Sequence, residues 1–217
     1  MAEDFRAGLD PHRQTAIRLL GERDTPSDEE RQFGKTFNFA SIYGAGANKI
    51  KTMLADEGLS LPEGKTAKQL HTEFYALNPG IRALSNPRPR WNDNSWVPGH
   101  IEKILESRGY IRTLWGRELH PEYAYRALNS LVQGCAADLM RAGMVKVHDW
   151  ITEAKLESHL VMTVHDELIF DVVDEEFDLL VGMVPKLMTD ARLEEILPIE
   201  VELETSRTTW AEKEPYG

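Results

Sequence analysis

The 217-residue sequence has a single cysteine, Cys135, which excludes an internal disulfide and any zinc site built from several thiolates. It has no run of about eighteen uncharged apolar residues, so no segment reads as a membrane-spanning helix. Met1 leads directly into AEDFRAG rather than into a basic start and an apolar stretch, which sets the expectation of a cytoplasmic protein. Basic charge is also in short supply. Against 36 Asp and Glu there are 25 Lys and Arg, a net charge of -11, and neutralising phosphates takes clustered cations. A generic basic nucleic-acid binder is therefore excluded, and any polyanion site must be local. Cations do gather at Arg31, Lys35, Lys49 and Lys51, and again at Arg112, Arg117 and Arg126, while the acids crowd the two ends. There is no internal repeat and no low-complexity segment. A hydrophobic content of 41% is enough for one good core or two small ones.

Punctuation and period give the coarse organisation. Ser27, with Glu30 three residues on, forms a capping box ahead of a run that stops at Gly44 and Gly46, which predicts a helix over about 28–43. NPGIRALSNPRPRWNDNSWVPGH is rich in Pro and Asn and reads as a loop between helices. RGYIRTLWGRELH carries a hairpin signal around Trp115-Gly116. From about 124 to 150, Leu128, Leu131, Val132, Cys135 and Leu139 recur at the spacing of a half-buried helix. Residues 158–172 read as two strands turning at His165-Asp166-Glu167, a further helix covers about 175–190, and Ile199, Val201 and Leu203 alternate as a last strand beside the hairpin.

Two places carry candidate chemistry. At the tip of a tight turn Asp166 can project as a hard oxygen ligand for Mg²⁺, with Glu167 nearby. Read alone, such a pair is usually a solvated turn. Arg31, Lys35, Phe39 and Tyr43 are each four apart, so they form one ridge with cations at its N-terminal half and aromatics at its C-terminal half. Such a ridge suits a nucleoside triphosphate, with cations on the phosphates and rings against sugar and base. It also suits an amphipathic helix whose basic side is merely wet.

The motifs together resemble one family. RQFGKTFNFASIYGAG is similar to the fingers-helix motif of family A DNA polymerases, the DNA polymerase I type, VHDELIF to that family's metal-binding palm motif, and ALNSLVQGCAADLMRAGM to the helix before it. GLDPHRQTA, GYIRTLWGREL and PIEVELETSRTTW also fit, in the right order, and YGAGANKI is similar to bacteriophage members. The sequence departs from the pattern at Ala40, where the family commonly has Gly, at Gly34, which interrupts the helix, and at Tyr125, where a basic residue is expected but stands instead at Arg126.

The resemblance implies an α+β fold: a helical fingers subdomain over 1–107 and, over 108–217, the second half of the palm, with a small antiparallel sheet carrying the metal-binding hairpin. It implies that His12, Arg31 and Lys35 contact the triphosphate of a dNTP, that Lys35 protonates the leaving pyrophosphate, that Phe39 lies against the sugar and Tyr43 near the nascent pair. Asn129, Gln133 and His165 would meet primer-template DNA. Asp166, the catalytic carboxylate, and Glu167 would serve two Mg²⁺ ions. In the family a second Asp, on a strand with the pattern Asp-Tyr-Ser-Gln-Ile-Glu, completes the metal site, and that pattern occurs nowhere in the 217 residues. Two metals clamped by carboxylates cannot be held by one hairpin. Two expectations follow. One is the C-terminal fragment of a DNA-directed DNA polymerase, inactive alone and completed by a separate N-terminal polymerase fragment. The other is a non-catalytic remnant that binds nucleotide or DNA.

Overall fold

Three helix starts in this chain, at Asp10, Ser27 and Thr66, are made by short polar side chains. In the computed structural model, which describes residues 2–21, 25–85, 88–89, 96–97, 99–190, 193, 195 and 197–216, helix α1 spans Ala2–Arg6 and α2 spans Pro11–Leu20. Asp10 caps α2 by accepting from the amides of His12 (2.7 Å) and Arg13 (3.0 Å), and Pro11 takes the first position, where a missing N–H costs nothing. The predicted box at Ser27 and Glu30 is present in both directions, and α3 runs Asp28–Ile42 with Tyr43 as its C-cap. Helix α4 follows at Ala47–Asp56, and α5 at Ala67–Leu77 behind a second capping box, Thr66 with Gln69.

The segment read as a loop is in part helical. Pro79 starts α6, Pro79–Ser85, for the same reason that Pro11 starts α2. Arg88–Pro89 (β1) pairs antiparallel with Trp96–Val97 (β2), and the rest of the expected loop, 86–87, 90–95 and 98, lies outside the described residues. Helix α7, His100–Arg108, ends on Gly109 at φ 78°, the left-handed backbone that glycine takes without cost. The hairpin expected around Trp115-Gly116 is there: β3 (Ile111–Arg112) pairs with β4 (Glu118–Leu119). After a short 3-10 turn at Ala124–Arg126, the long helix α8 spans Ala127–Ala154.

Strands β5 (His159–Val164) and β6 (Glu167–Asp171) form the second expected hairpin, with a slip in register that leaves Val161 as the extra residue. Helix α9 covers Phe177–Met188. The last expected strand differs. Residues Ile199, Val201 and Leu203 are half-buried and their neighbours exposed, so the alternation read in the sequence is real. It does not join the hairpin: among the described residues that sheet has two strands, and β7 (Glu204–Thr205) pairs instead with β8 (Glu214–Pro215) as the C-terminal segment folds back on it. Period 2 fixes an extended backbone and its inner face, but it does not choose the ladder partner.

The fold class is α+β, helical with small antiparallel sheets, and the described residues divide into two compact units, Met1–Gly134 and Cys135–Gly217. That division falls after Gly134, away from the expected fingers boundary at 107/108. In the first unit, Leu19, Phe33, Phe37, Ile50, Leu54, Leu70 and Phe74 form a continuous core, and Ile101, Ile111, Ala127 and Leu128 form another. In the second, Val147 and Ile151 of α8 pack on Leu180 and Val184 of α9. No helix of the described residues is long and apolar enough to cross a membrane.

One contact sets the geometry of the first unit. A Cβ on Gly34, in the middle of α3, would stand 2.1 Å from the carbonyl oxygen of His12 and 3.1 Å from the amide nitrogen of Ala16. The glycine that looks like a propensity defect in the sequence is what lets the backbone of α2 lie against α3. Gly34→Ala should therefore destabilise by about 1–3 kcal/mol through overpacking, where helix propensity alone predicts a gain of about 1 kcal/mol. Gly182→Ala in α9, where a Cβ meets nothing within 4 Å, should show that gain. Thermal unfolding of the two variants against the parent chain checks the contrast in sign.

Candidate active site

The close approach of α2 to α3 brings the predicted ridge together with His12. The His12 ring lies 5.6 Å, centroid to centroid, from Phe39, and Phe39 lies 5.9 Å from Tyr43. Arg31 Nε donates to Asp10 Oδ2 at 2.5 Å, so the carboxylate that caps α2 also holds the guanidinium on α3. Lys35 sits one turn from both Arg31 and Phe39 and is exposed, as is the Phe39 ring at 42%. Two cations, an imidazole and two rings thus share one surface, between the first turn of α2 and the outer face of α3.

The electrostatics follow from this crowding. Burial disfavours the charged form of Asp10, but Arg31 and the amides of Arg13 and His12 outweigh it and hold the carboxyl below its ordinary value. For His12, burial comes first, and the charges of Arg31 and Lys35 add to it against the pull of Asp10, so the imidazole is held below the ordinary histidine value. His12, held toward its neutral form beside two cations, makes this a donor-rich surface.

Sequence reasoning missed two supports of this surface. Asp10 was legible, because Asp followed by Pro at a helix start is a capping signature. Asn38 was legible too: a polar residue between Phe37 and Phe39 inside a helix needs a partner. It is 2% exposed, accepts from Thr15 Oγ1 at 2.9 Å, and donates to the Pro11 carbonyl at 3.3 Å.

The hairpin of the second unit places Asp166 as expected, exposed at the turn between β5 and β6. His165 beside it has φ 55°, a backbone that costs a non-glycine residue about 1–2 kcal/mol. Glu167 does not stand beside Asp166 as a second open ligand. Its carboxylate accepts from Lys213 Nζ at 2.6 Å and from Trp210 Nε1 at 3.3 Å, and Lys213 also reaches Glu204 at 2.7 Å. Lys213 first, and then Trp210 and His165, lower the Glu167 carboxyl below its ordinary value in spite of desolvation. Among the described residues no group of three or more His, Cys, Asp or Glu could hold a metal ion. The residues present therefore do not fit a two-metal centre: one open carboxylate is not a site.

On α8, Asn129 and Gln133 lie one turn apart. Gln133 is exposed, and the side-chain oxygen of Asn129 is buried without a hydrogen-bond partner among the described residues. Arg117 Nη2 donates to the Gly134 carbonyl at 3.0 Å, tying the β3–β4 hairpin to the same turn. Arg126, the displaced cation, lies over the rings of Tyr123 (5.4 Å) and Tyr125 (5.5 Å).

With this geometry in place, the comparisons decide the family. The family model described as DNA polymerase family A matches residues 1–212. The chain belongs to DNA polymerase family A. Relatives include the DNA polymerase I of Chloroflexus aurantiacus, 32% identical over 228 residues, which cover 98% of this chain and 22% of that protein. The DNA polymerase of Mycobacterium phage D29 is 28% identical over 192 residues, covering 88% and 28%. Among solved structures, the POL domain of Pol1 from M. smegmatis, in complex with DNA primer-template and dNTP, superposes with a TM-score of 0.68 at 26% identity, covering 91% of this chain and 33% of that one. The chain thus corresponds to a fifth to a quarter of the length of its bacterial family A relatives.

The shifted groups predict a pH dependence. His12 and His71 are both held below their ordinary value by burial. The unfolded chain therefore binds protons that the folded chain refuses as pH falls below 6.5, and stability falls with it. Asp4 is lowered chiefly by Arg18, and Asp10 by Arg31 against its burial. The stability they contribute is full above 3.8 and is lost as pH falls through their lower folded values. Both trends share a sign. The melting midpoint should drop by a few degrees from pH 7.5 to 5.5, and His12→Gln should flatten that slope in differential scanning calorimetry.

Proposed function

We propose that this chain supplies the fingers, residues 1–107, and the second half of the palm, residues 108–217, of a DNA-directed DNA polymerase acting on dNTPs and primer-template DNA. The observation that carries this reading is the surface shared by His12, Arg31, Lys35, Phe39 and Tyr43. In it the triphosphate of a dNTP is met by Arg31, Lys35 and His12. The Phe39 ring abuts the sugar, Tyr43 flanks the nascent pair, and Lys35 delivers a proton to the departing pyrophosphate. Binding by paired cations is strong because charge-assisted hydrogen bonds are roughly twice as strong as neutral ones. Release of Arg31 from Asp10 when a triphosphate arrives exchanges one anion for another, so the arginine is never left without a counter-charge.

On this reading Asn129, Gln133 and His165 face the duplex. Amides at one turn's spacing can address the acceptors that every base pair presents in the minor groove, which checks shape without reading sequence. The positive φ of His165, shared in this chain with Lys155 just after α8, sets the turn that exposes its ring beside Asp166. Asp166 would be the one open carboxylate that this chain contributes toward Mg²⁺, and its own described residues do not complete a centre for that ion. A second carboxylate must come from a segment that is not among these 217 residues, such as an N-terminal polymerase fragment carrying the Asp-Tyr-Ser-Gln-Ile-Glu strand. On this reading the reaction belongs in the cytoplasm, where DNA and dNTPs are at hand.

Two measurements test the reading. The affinity of the purified chain for dATP, followed by calorimetry, should fall about tenfold in Arg31→Ala and in Lys35→Ala, the loss of one hydrogen bond to a charged group. Unchanged affinity in both would overturn the nucleotide assignment. The chain by itself should extend no primer with Mg²⁺ and all four dNTPs. Synthesis should appear only on addition of a polypeptide bearing the missing strand, and Asp166→Ala should abolish it while leaving DNA binding nearly intact, since it removes no phosphate contact.

A further inference from the structure

The buried amide of Asn38 faces the His12 ring, and its orientation is settled by groups other than that ring. Its Nδ2 lies 3.3 Å from the carbonyl oxygen of Pro11, which can only accept. Its Oδ1 lies 2.9 Å from Thr15 Oγ1, a hydroxyl that can donate. Rotating the amide by half a turn would set two carbonyl oxygens against each other at Pro11. The orientation is therefore fixed, and it points Nδ2 at His12 Nδ1, 3.0 Å away. An amide nitrogen has only protons to offer, so His12 Nδ1 must accept. The neutral ring then carries its proton on Nε2.

We infer that Asn38, held by Thr15 and by the Pro11 carbonyl, is a positioning residue that fixes the tautomer of His12 so that Nε2–H is presented as the donor to a triphosphate. The inference rests on the nucleotide reading above for its purpose, but not for the tautomer. A second proton, on Nδ1, would oppose an N–H of Asn38 to an N–H of the ring. The charged groups facing the ring from α2 and α3 are Asp10, Arg31 and Lys35, and the two cations act against that proton while Asp10 acts for it. Asn38 is 2% exposed and Thr15 5%, so neither can be replaced by water without opening the α2–α3 contact. The arrangement supplies a neutral donor between two cations, where a third positive charge would be repelled. The Phe39 ring, tilted at 46° to the imidazole, bounds the other side.

The test reads the tautomer directly. In the nucleotide-free chain labelled with ¹⁵N-histidine at pH 7.5, two-bond proton–nitrogen correlations should show His12 with its proton on Nε2. Its signals among the seven histidines are assigned from the spectrum of His12→Gln. Asn38→Asp, which keeps the volume but presents acceptors, should move the proton to Nδ1 and raise the pH at which the ring titrates; Thr15→Val should loosen the preference without reversing it. A proton on Nδ1 in the parent chain overturns the inference. Coupling is read from dATP affinity. Asn38→Ala should weaken binding about tenfold in the parent but have no further effect in His12→Gln, because its influence passes through the ring. An equal loss in both backgrounds would make Asn38 a packing residue only and sink the positioning role. If His12→Gln leaves dATP affinity untouched while the spectra show Nε2–H, the nucleotide reading fails and the purpose assigned to the tautomer fails with it.

Discussion

The closeness of α2 to α3 at Gly34 is the constraint on which the candidate nucleotide surface depends. A carbonyl from one helix sits where the other would carry a Cβ, so the first turn of α2 is held at backbone distance from the middle of α3. That turn carries Asp10, Pro11 and His12, and α3 presents Arg31, Lys35, Asn38 and Phe39. The polar links that shape the surface exist because the backbones are close: Asp10 to Arg31, Thr15 to Asn38, Asn38 to Pro11 and Asn38 to His12. Separate the helices by one methyl group and these links fail together. A helix-breaking residue is tolerated in α3 because its propensity cost, about 1 kcal/mol, is small beside the core that closes around it.

The polar groups at that contact are arranged so that each serves two elements. Asp10 caps α2 with one oxygen and holds Arg31 with the other. Asn38 satisfies the Pro11 carbonyl and orders the imidazole. Buried polar groups of this kind are costly unless fully paired, so their value lies in specificity of arrangement rather than in net stability. The outcome is a surface preorganised before any ligand arrives, with cations at its rim and no unpaired polar group of Thr15 or Asn38 beneath it.

How much of this could be read beforehand depended on whether the signal was local. The capping box at Ser27 and Glu30 predicted α3 almost to the residue, because both halves of the box lie within one turn. The ridge of Arg31, Lys35, Phe39 and Tyr43 was legible for the same reason. The hairpin around Asp166 was legible from period 2 and its turn. What failed was whatever needed a partner distant in sequence. The alternation at Ile199, Val201 and Leu203 carried no information about which strand it would meet, and it met none in the hairpin sheet. Gly34 looked like a defect because its neighbour, His12, lies 22 residues away. Helix α6 hid behind a composition that suits loops, though Pro79 stood at the one helical position where proline is favoured.

The hairpin tip shows how such a partner changes a reading of charge. Asp166 and Glu167 are adjacent acids in an otherwise apolar stretch, and two unbalanced carboxylates there would repel each other. Lys213 resolves this from 46 residues away: it neutralises Glu167 and is itself raised above its ordinary value, first by Glu167 and then by Glu204. The turn therefore leaves Asp166 as its open carboxylate, next to His165 at φ 55°. An exposed ion pair is screened by salt and contributes little stability, so Lys213 balances the charge of Glu167 more than it braces the hairpin. Asp166 is left as the open carboxylate at the tip, while Glu167 beside it is taken up by Lys213 and Trp210. The charge balance at the tip is thus set by a residue distant in sequence, and nothing in the two adjacent acids themselves announces it.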